Sequence, residues 1–516
     1  MEITEKRSST APEDAIVPTA DGEVSDLINA SGHIQELDRN FNLLSAAGVG
    51  LVVGNVWPAV GGSILVAIFN GGPPGVIYEF IVVSIFYWIV AASIAELASA
   101  IPSSGGIYHW ASVTPGKKSG RVIGFYAGYW NWLAWVFGCA SMSFIFANTI
   151  VQMYGVTHSD FEAKQWHVFV TYLIATWLAC ACVCLFNSAM PHLNTVGIVL
   201  ILAGFFITIV VVAAMPGSGG RPPHATSSFV WTEWTADIGY PNGFVFVAGM
   251  LNGAYAVGTP DAVSHIAEEV PNPGKNIPIA IGTQMAIGFF TGLCYIIAIM
   301  YAINDYDALF DSAFPIAEIY RQATGSAGGA IGLLCLLLFC VGVCMVGVYI
   351  TAGRTLWALA RDGATPFPHH LGKVAPRLGM PLIATLTCGC ITTILGWKET
   401  LLTQLSYIAA ILPHLLTGRK NIQFGPFQLK KFGVAFNFIA CGYMIVWFVI
   451  YCFPFALPTD AQTMNYACLI WGGLTILVTI WWFIGESRYI GPKTTGGITT
   501  EIEQVRRASA TKRTSV

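Results

Sequence analysis

Two glycine-rich runs hold the residues best suited to chemistry. AAGVGLVVGNVWP sets Gly48, Gly50 and Gly54 ahead of Pro58, and AGMLNGAYAVGTPDA sets Gly249, Gly253 and Gly258 ahead of Pro260. Glycine removes the side chain that favours a regular helix, and proline is tolerated only in the first turn of a new one. Each run therefore reads as two half-helices joined by an unwound stretch. The amino terminus of such a half-helix offers free N–H groups and a positive dipole end to a carboxylate, and the bared carbonyls suit an ammonium group or a cation.

Side chains beside these stretches extend that chemistry. Asp261 is the one acid well inside the second apolar segment, where charge is costly; it could bind a cationic amine or carry a proton. It reads equally well as part of a cap and first turn, Thr259-Pro260-Asp261, where an acid suits the dipole. Tyr255, which follows Asn252 and Gly253, and Trp57, at the restart of the first run, are placed to close over a ligand. An aromatic face also holds a quaternary ammonium by cation–π attraction. Aromatics near membrane interfaces serve equally as anchors, and the cluster FYAGYWNWLAW, with Tyr126, Tyr129, Trp130 and Trp135, reads as packing or anchoring. The glycines have a plainer reading too, as small residues that let helices pack closely.

The elements that must position these residues are membrane spans. The chain has 516 residues, 55% hydrophobic and 10% charged, with a mean hydropathy of +0.63, against roughly 25% charged residues in a soluble domain. Apolar runs approaching the ~20 residues needed to cross a bilayer lie at about 43–69, 76–99, 121–153, 167–187, 194–215, 243–267, 277–303, 327–353, 382–396, 400–416, 434–456 and 465–485. The sequence thus predicts an all-α polytopic protein with about twelve spans over residues 41–486, between tails at 1–40 and 487–516. The first tail is polar and acidic, without the basic start and apolar run of a cleaved signal. The two glycine-rich runs fall in spans 1 and 6, the first members of two five-helix halves. That is the arrangement expected of an inverted repeat, and it favours a site over mere packing.

Basic residues of short loops stay cytoplasmic. With the amino terminus inside, cytoplasmic loops hold Lys117, Lys118, Arg121, Lys275, Arg354, Arg361, Lys373, Arg377, Arg419, Lys420, Lys430 and Lys431, whereas outer loops hold Lys164, Arg221, Arg321 and Lys398. Both termini are expected in the cytosol and the protein in the plasma membrane. The net charge of -3 points to no nucleic-acid partner. The 13 cysteines form no zinc or redox pattern and read as small packing residues, and no cofactor or metal is expected.

Four further motifs resemble the amino acid/polyamine/organocation superfamily: IPSSGGIYHW (Ile101 to Trp110), EEVPNPGKNIPIAI (Glu268 to Ile281), ARDGATPFP (Ala360 to Pro368) and, similar to fungal choline and γ-aminobutyrate permeases, GPFQLKKFG (Gly425 to Gly433). The resemblance covers residues 33–485. It implies a LeuT-like 5+5 fold, discontinuous spans 1 and 6, alternating access and a site between those spans. It also implies that Gly48, Gly50, Gly54 and Asn55 form the substrate motif of the first span, with Tyr255 at an aromatic gate position and Asp261 at an acidic one. One departure stands out. Around Trp397 the chain lacks about one helix worth of residues that relatives carry, so the two flanking spans hold about 16 apolar residues each, ~24 Å of helix. Either they form a thin hairpin or an exon is missing; the basic loop after residue 416 favours an even number of crossings and two short spans.

The expected function is secondary transport of a small amine or amino acid, with no catalytic residues. Span 8, VGVCMVGVYITAG, offers a sodium ion only Thr351 among hydroxyls, so a proton is the expected coupling ion. Broken helices and no ring-forming repeat argue against a channel, and the lack of an HExxH motif or a nucleophile–base pair argues against an enzyme. A transporter-like nutrient sensor without flux is the alternative.

Overall fold

The computed structural model describes residues 37, 39, 41–158, 160–236, 238–395, 401–461 and 463–492. Most of both tails, and the sequence around Trp397, lie outside the described residues. Among those described, the chain is all helix. Span 1 is Leu43–Gly54 with Val56–Gly62, span 2 Gly72–Ala100, span 3 Gly120–Thr157, span 4 Gln165–Leu185, span 5 Met190–Ala214 and span 6 Asn242–Val257 with a 3-10 segment, Ala262–Glu269. Span 7 is Pro273–Tyr301, span 8 Ala327–Arg361, span 9 Leu382–Leu395, span 10 Leu401–Leu416, span 11 Gly433–Ile450 and span 12 Ala467–Gly485. Nine of these are long and apolar enough to cross a membrane by themselves, and spans 9 and 10 are shorter apolar helices. With the broken span 6 they make the expected twelve.

Span 3 packs against spans 4, 8 and 10, and span 2 against spans 6, 7 and 11, so spans 1 and 6 are enclosed. Large apolar side chains such as Ile174, Leu178, Val199, Phe206 and Val210 on spans 4 and 5, and Leu477, Phe483 and Ile484 on span 12, stand exposed. That is the reverse of a water-soluble surface, and lipid is the solvent that meets these residues.

The two breaks differ. Span 1 does not unwind over several residues as its glycines predict: the helix stops at Gly54 and restarts at Val56, with Asn55 alone in the left-handed region at φ 36°. Asparagine tolerates that region better than most residues, and Pro58 falls in the first turn of the new helix, where its missing N–H costs nothing. Span 6 opens over Gly258–Asp261 and continues as a 3-10 helix rather than an α-helix. Span 10 is polar on its inner face, where Gln404, Ser406, Tyr407 and His414 are buried.

Candidate functional site

A cavity lies where the two breaks meet spans 3, 8 and 10. Its wall includes Gly54 of span 1, Trp135, Gly138 and Ser141 of span 3, Tyr255, Gly258 and Thr259 of span 6, and Thr403 of span 10. None of its lining residues is charged. The Tyr255 hydroxyl meets Ser141 Oγ at 2.7 Å, tying span 6 to span 3 across the cavity.

Of the residues singled out in the sequence, the structure brings Gly54, Trp135, Tyr255, Gly258 and Thr259 to this wall, and Gly48, Gly50, Asn55, Trp57, Asn252 and Gly253 to contacts between helices. A Cβ on Gly48 would stand 3.1 Å from the Asn194 carbonyl oxygen, and one on Gly253 2.5 Å from Val83. Gly50 and Gly54 make room for Gln284 of span 7, which a Cβ at either position would approach to 2.9 Å. Gln284 in turn donates to the Thr259 carbonyl at 3.0 Å. Asn55 Nδ2 donates to the Cys340 carbonyl at 3.3 Å and Trp57 Nε1 to the Ile201 carbonyl at 3.1 Å. Asn252 Oδ1 accepts from Ser63 at 2.6 Å, joining span 6 to the end of span 1.

Asp261 sits just behind the cavity, fully buried. Its Oδ2 accepts from Asn131 Nδ2 at 2.9 Å and Trp135 Nε1 at 3.3 Å and meets His265 Nε2 at 3.2 Å; its Oδ1 accepts from the Tyr407 hydroxyl at 2.5 Å. The other ring nitrogen of His265 lies 3.1 Å from the Thr355 hydroxyl and 3.2 Å from the Ser104 carbonyl. Asp261 thus meets four groups able to donate to a carboxylate, Asn131, Trp135, Tyr407 and His265, held by spans 3, 6 and 10. Tyr407 also lies 3.2 Å from the Gly258 carbonyl, but its single proton goes to the nearer Asp261. The Gly258 carbonyl thus keeps acceptor capacity, and Gly258 belongs to the cavity wall.

The sequence pattern passed over Asn131, read Trp135 as packing or anchoring, and passed over His265 and Tyr407. A signal existed for the first three: Asn131 and Trp135 are four residues apart on one helix face, as are Asp261 and His265. Tyr407 is brought in by tertiary packing alone.

One end of the bundle is shut by buried ion pairs. Arg354 contacts both Glu269 oxygens at 2.5 and 3.0 Å, Arg361 reaches Glu268 at 3.1 Å, and Arg419 reaches Glu96 at 2.5 Å. Removing one partner of such a pair costs about 3–5 kcal/mol because the other charge stays buried, whereas replacing both by apolar groups is often neutral. Arg354→Met is therefore expected to lower thermal stability in detergent by that order, and Arg354→Met with Glu269→Leu to recover most of it. Equal stability of the single variant and the parent would show that the pair is hydrated.

A protein-family model described as amino acid permease matches residues 41–474. The choline transporter of Saccharomyces cerevisiae is 32% identical over 91% of this chain and 85% of its own length. The GABA-specific permease of the same yeast is 27% identical over 91% and 85%, and a swainsonine transporter of Arthroderma benhamiae is 25% identical over 88% and 92%. With twelve spans, breaks in the first and sixth, and a matched region that runs through nearly all of them, the chain is a membrane transporter and belongs to the amino acid permease family of the amino acid/polyamine/organocation superfamily.

Proposed function

We propose that the protein is a secondary active transporter of a small amine or zwitterionic amine, working by alternating access and driven by protons. The observation that carries this reading is the cavity at the two breaks, walled by Trp135, Phe137 and Tyr255, with no charged lining residue and with Gly258 of the unwound stretch in its wall. Such a wall suits an ammonium group, which aromatic faces and carbonyl dipoles stabilise without a full counter-charge. The names of the relatives point the same way: choline and γ-aminobutyrate both carry positive nitrogen, and an alkaloid such as swainsonine extends the range. These relatives are named as transporters, which favours flux over the sensor alternative.

On this reading the end closed by the ion pairs faces the cytoplasm together with both termini, since basic residues of short loops stay inside, and the protein works in the plasma membrane. The test is uptake by the purified full chain in liposomes with an inward proton gradient, with labelled choline, γ-aminobutyrate and amino acids competed against sugars and dicarboxylates. Saturable uptake of at least one amine, blocked by amines and collapsed by a protonophore, is expected. Tight binding of a sugar with none of any amine would overturn the substrate class.

A further inference from the structure

One acid in the bundle is used by nothing described so far. Glu79 lies on span 2, two turns from its start, and is 2% exposed. Both of its carboxyl oxygens are buried with no hydrogen-bond partner among the described residues. It faces Gly249 of span 6, where an added Cβ would overlap the carboxyl, and Gly75 of its own helix, where a Cβ would lie 3.4 Å from Oε1. The absence of a side chain at Gly249 thus makes room for the carboxyl in the seam between spans 2 and 6. One turn further along span 6, the Asn252–Ser63 bond locks that helix to span 1.

From the geometry we infer that Glu79 is a proton-binding site whose occupancy lets spans 2 and 6 close together. An isolated carboxylate buried without donors costs many kcal/mol, whereas the neutral acid fits the same space at the cost of unmade hydrogen bonds alone. The titratable groups brought near this seam are tyrosines. Span 11 contributes Tyr443 and, just beyond its end, Tyr451, whose hydroxyl is also buried without a partner and lies within electrostatic reach of Glu79. Span 7 contributes Tyr295, which is paired with Tyr320, and span 2 itself Tyr87 further along. Asn242–Val257 of span 6 contains no Asp, Glu, His, Lys or Arg, and its one tyrosine, Tyr255, is hydrogen-bonded to Ser141. Span 10 touches span 2 as well, but its His414 and the following Arg419 lie against Glu96 at the opposite end. No described group therefore supplies positive charge, and a proton must. When the seam opens to water the carboxylate is solvated and gives the proton to water; when it closes, the proton has returned from solvent to the carboxyl oxygen.

This inference rests on the proton-driven reading above and deepens it, so its test needs arms that do not depend on transport. In infrared spectra of the full chain in bilayers at neutral pH, a protonated-carboxyl band is expected in the parent and its loss in Glu79→Gln. Added sodium or potassium should leave the band in place. In liposomes, gradient-driven accumulation of choline or γ-aminobutyrate should drop at least tenfold in Glu79→Gln, and its binding of these probes should lose the pH dependence of the parent. Absence of the band from the parent, its displacement by a metal cation, or full proton-driven accumulation by the variant would each overturn the assignment. If the parent carries neither probe, the transport reading fails while the infrared arm still decides whether Glu79 holds a proton; the parent spectrum serves also should the variant not fold.

Discussion

Gly138→Leu in the full chain is expected to lose saturable amine uptake with little change in thermal stability. Gly138 is in the cavity wall, and a Cβ there would meet Val348 at 3.3 Å and the edge of Trp135 only at 4.0 Å. The rest of a leucine side chain has the cavity as its open side and takes the space of a small ligand. A hundredfold loss of affinity, about 2.7 kcal/mol, is the expected order. The contrast is Gly253→Leu, whose Cβ starts 2.5 Å from Val83. Overpacking of that kind costs about 1–3 kcal/mol or more, so uptake and folding should fall together. Parental affinity in Gly138→Leu would show that the ligand goes elsewhere.

Asp261→Asn is expected to lower stability by about 1–3 kcal/mol or more, the cost of buried donors left without an acceptor. The amide would lose the charge toward which Asn131, Trp135, Tyr407 and His265 are turned, and its N–H₂ group would face either the Asn131 and Trp135 donors or the Tyr407 hydroxyl. Thermal unfolding and surface expression should fall along with uptake. If the only task of Asp261 were to hold a substrate cation, the isosteric amide would fold normally and lose uptake alone. That outcome would sink the hub reading.

The architecture was legible because a bilayer imposes one length on every crossing and the backbone must satisfy itself within it. The ends of the elements were less so. Span 8 was expected to stop at 353 but runs to Arg361, and span 3 runs past 153 to Thr157. An apolar run ends where the lipid does, whereas a helix ends where its hydrogen bonding does. The site was harder to read because a glycine that bares backbone to a ligand and one that admits a neighbouring side chain look alike in sequence. Gly54 lines the cavity and also seats Gln284, whereas Gly50 only seats it. The pairs made by Glu268 and Glu269 likewise needed the fold, since the partner arginines lie on another span.

The second half of span 6 has one more consequence. Ala262–Glu269 holds eight residues as a 3-10 helix, a form rarely sustained beyond one turn. At about 2.0 Å per residue it reaches roughly 16 Å, and the same residues wound as an α-helix would reach roughly 12 Å. Rewinding it would retract Glu268 and Glu269 by about 4 Å and swing them around the axis, away from Arg361 and Arg354. A change of winding in these eight residues alone would therefore alter the reach of the segment by about 4 Å at the end where the ion pairs lie.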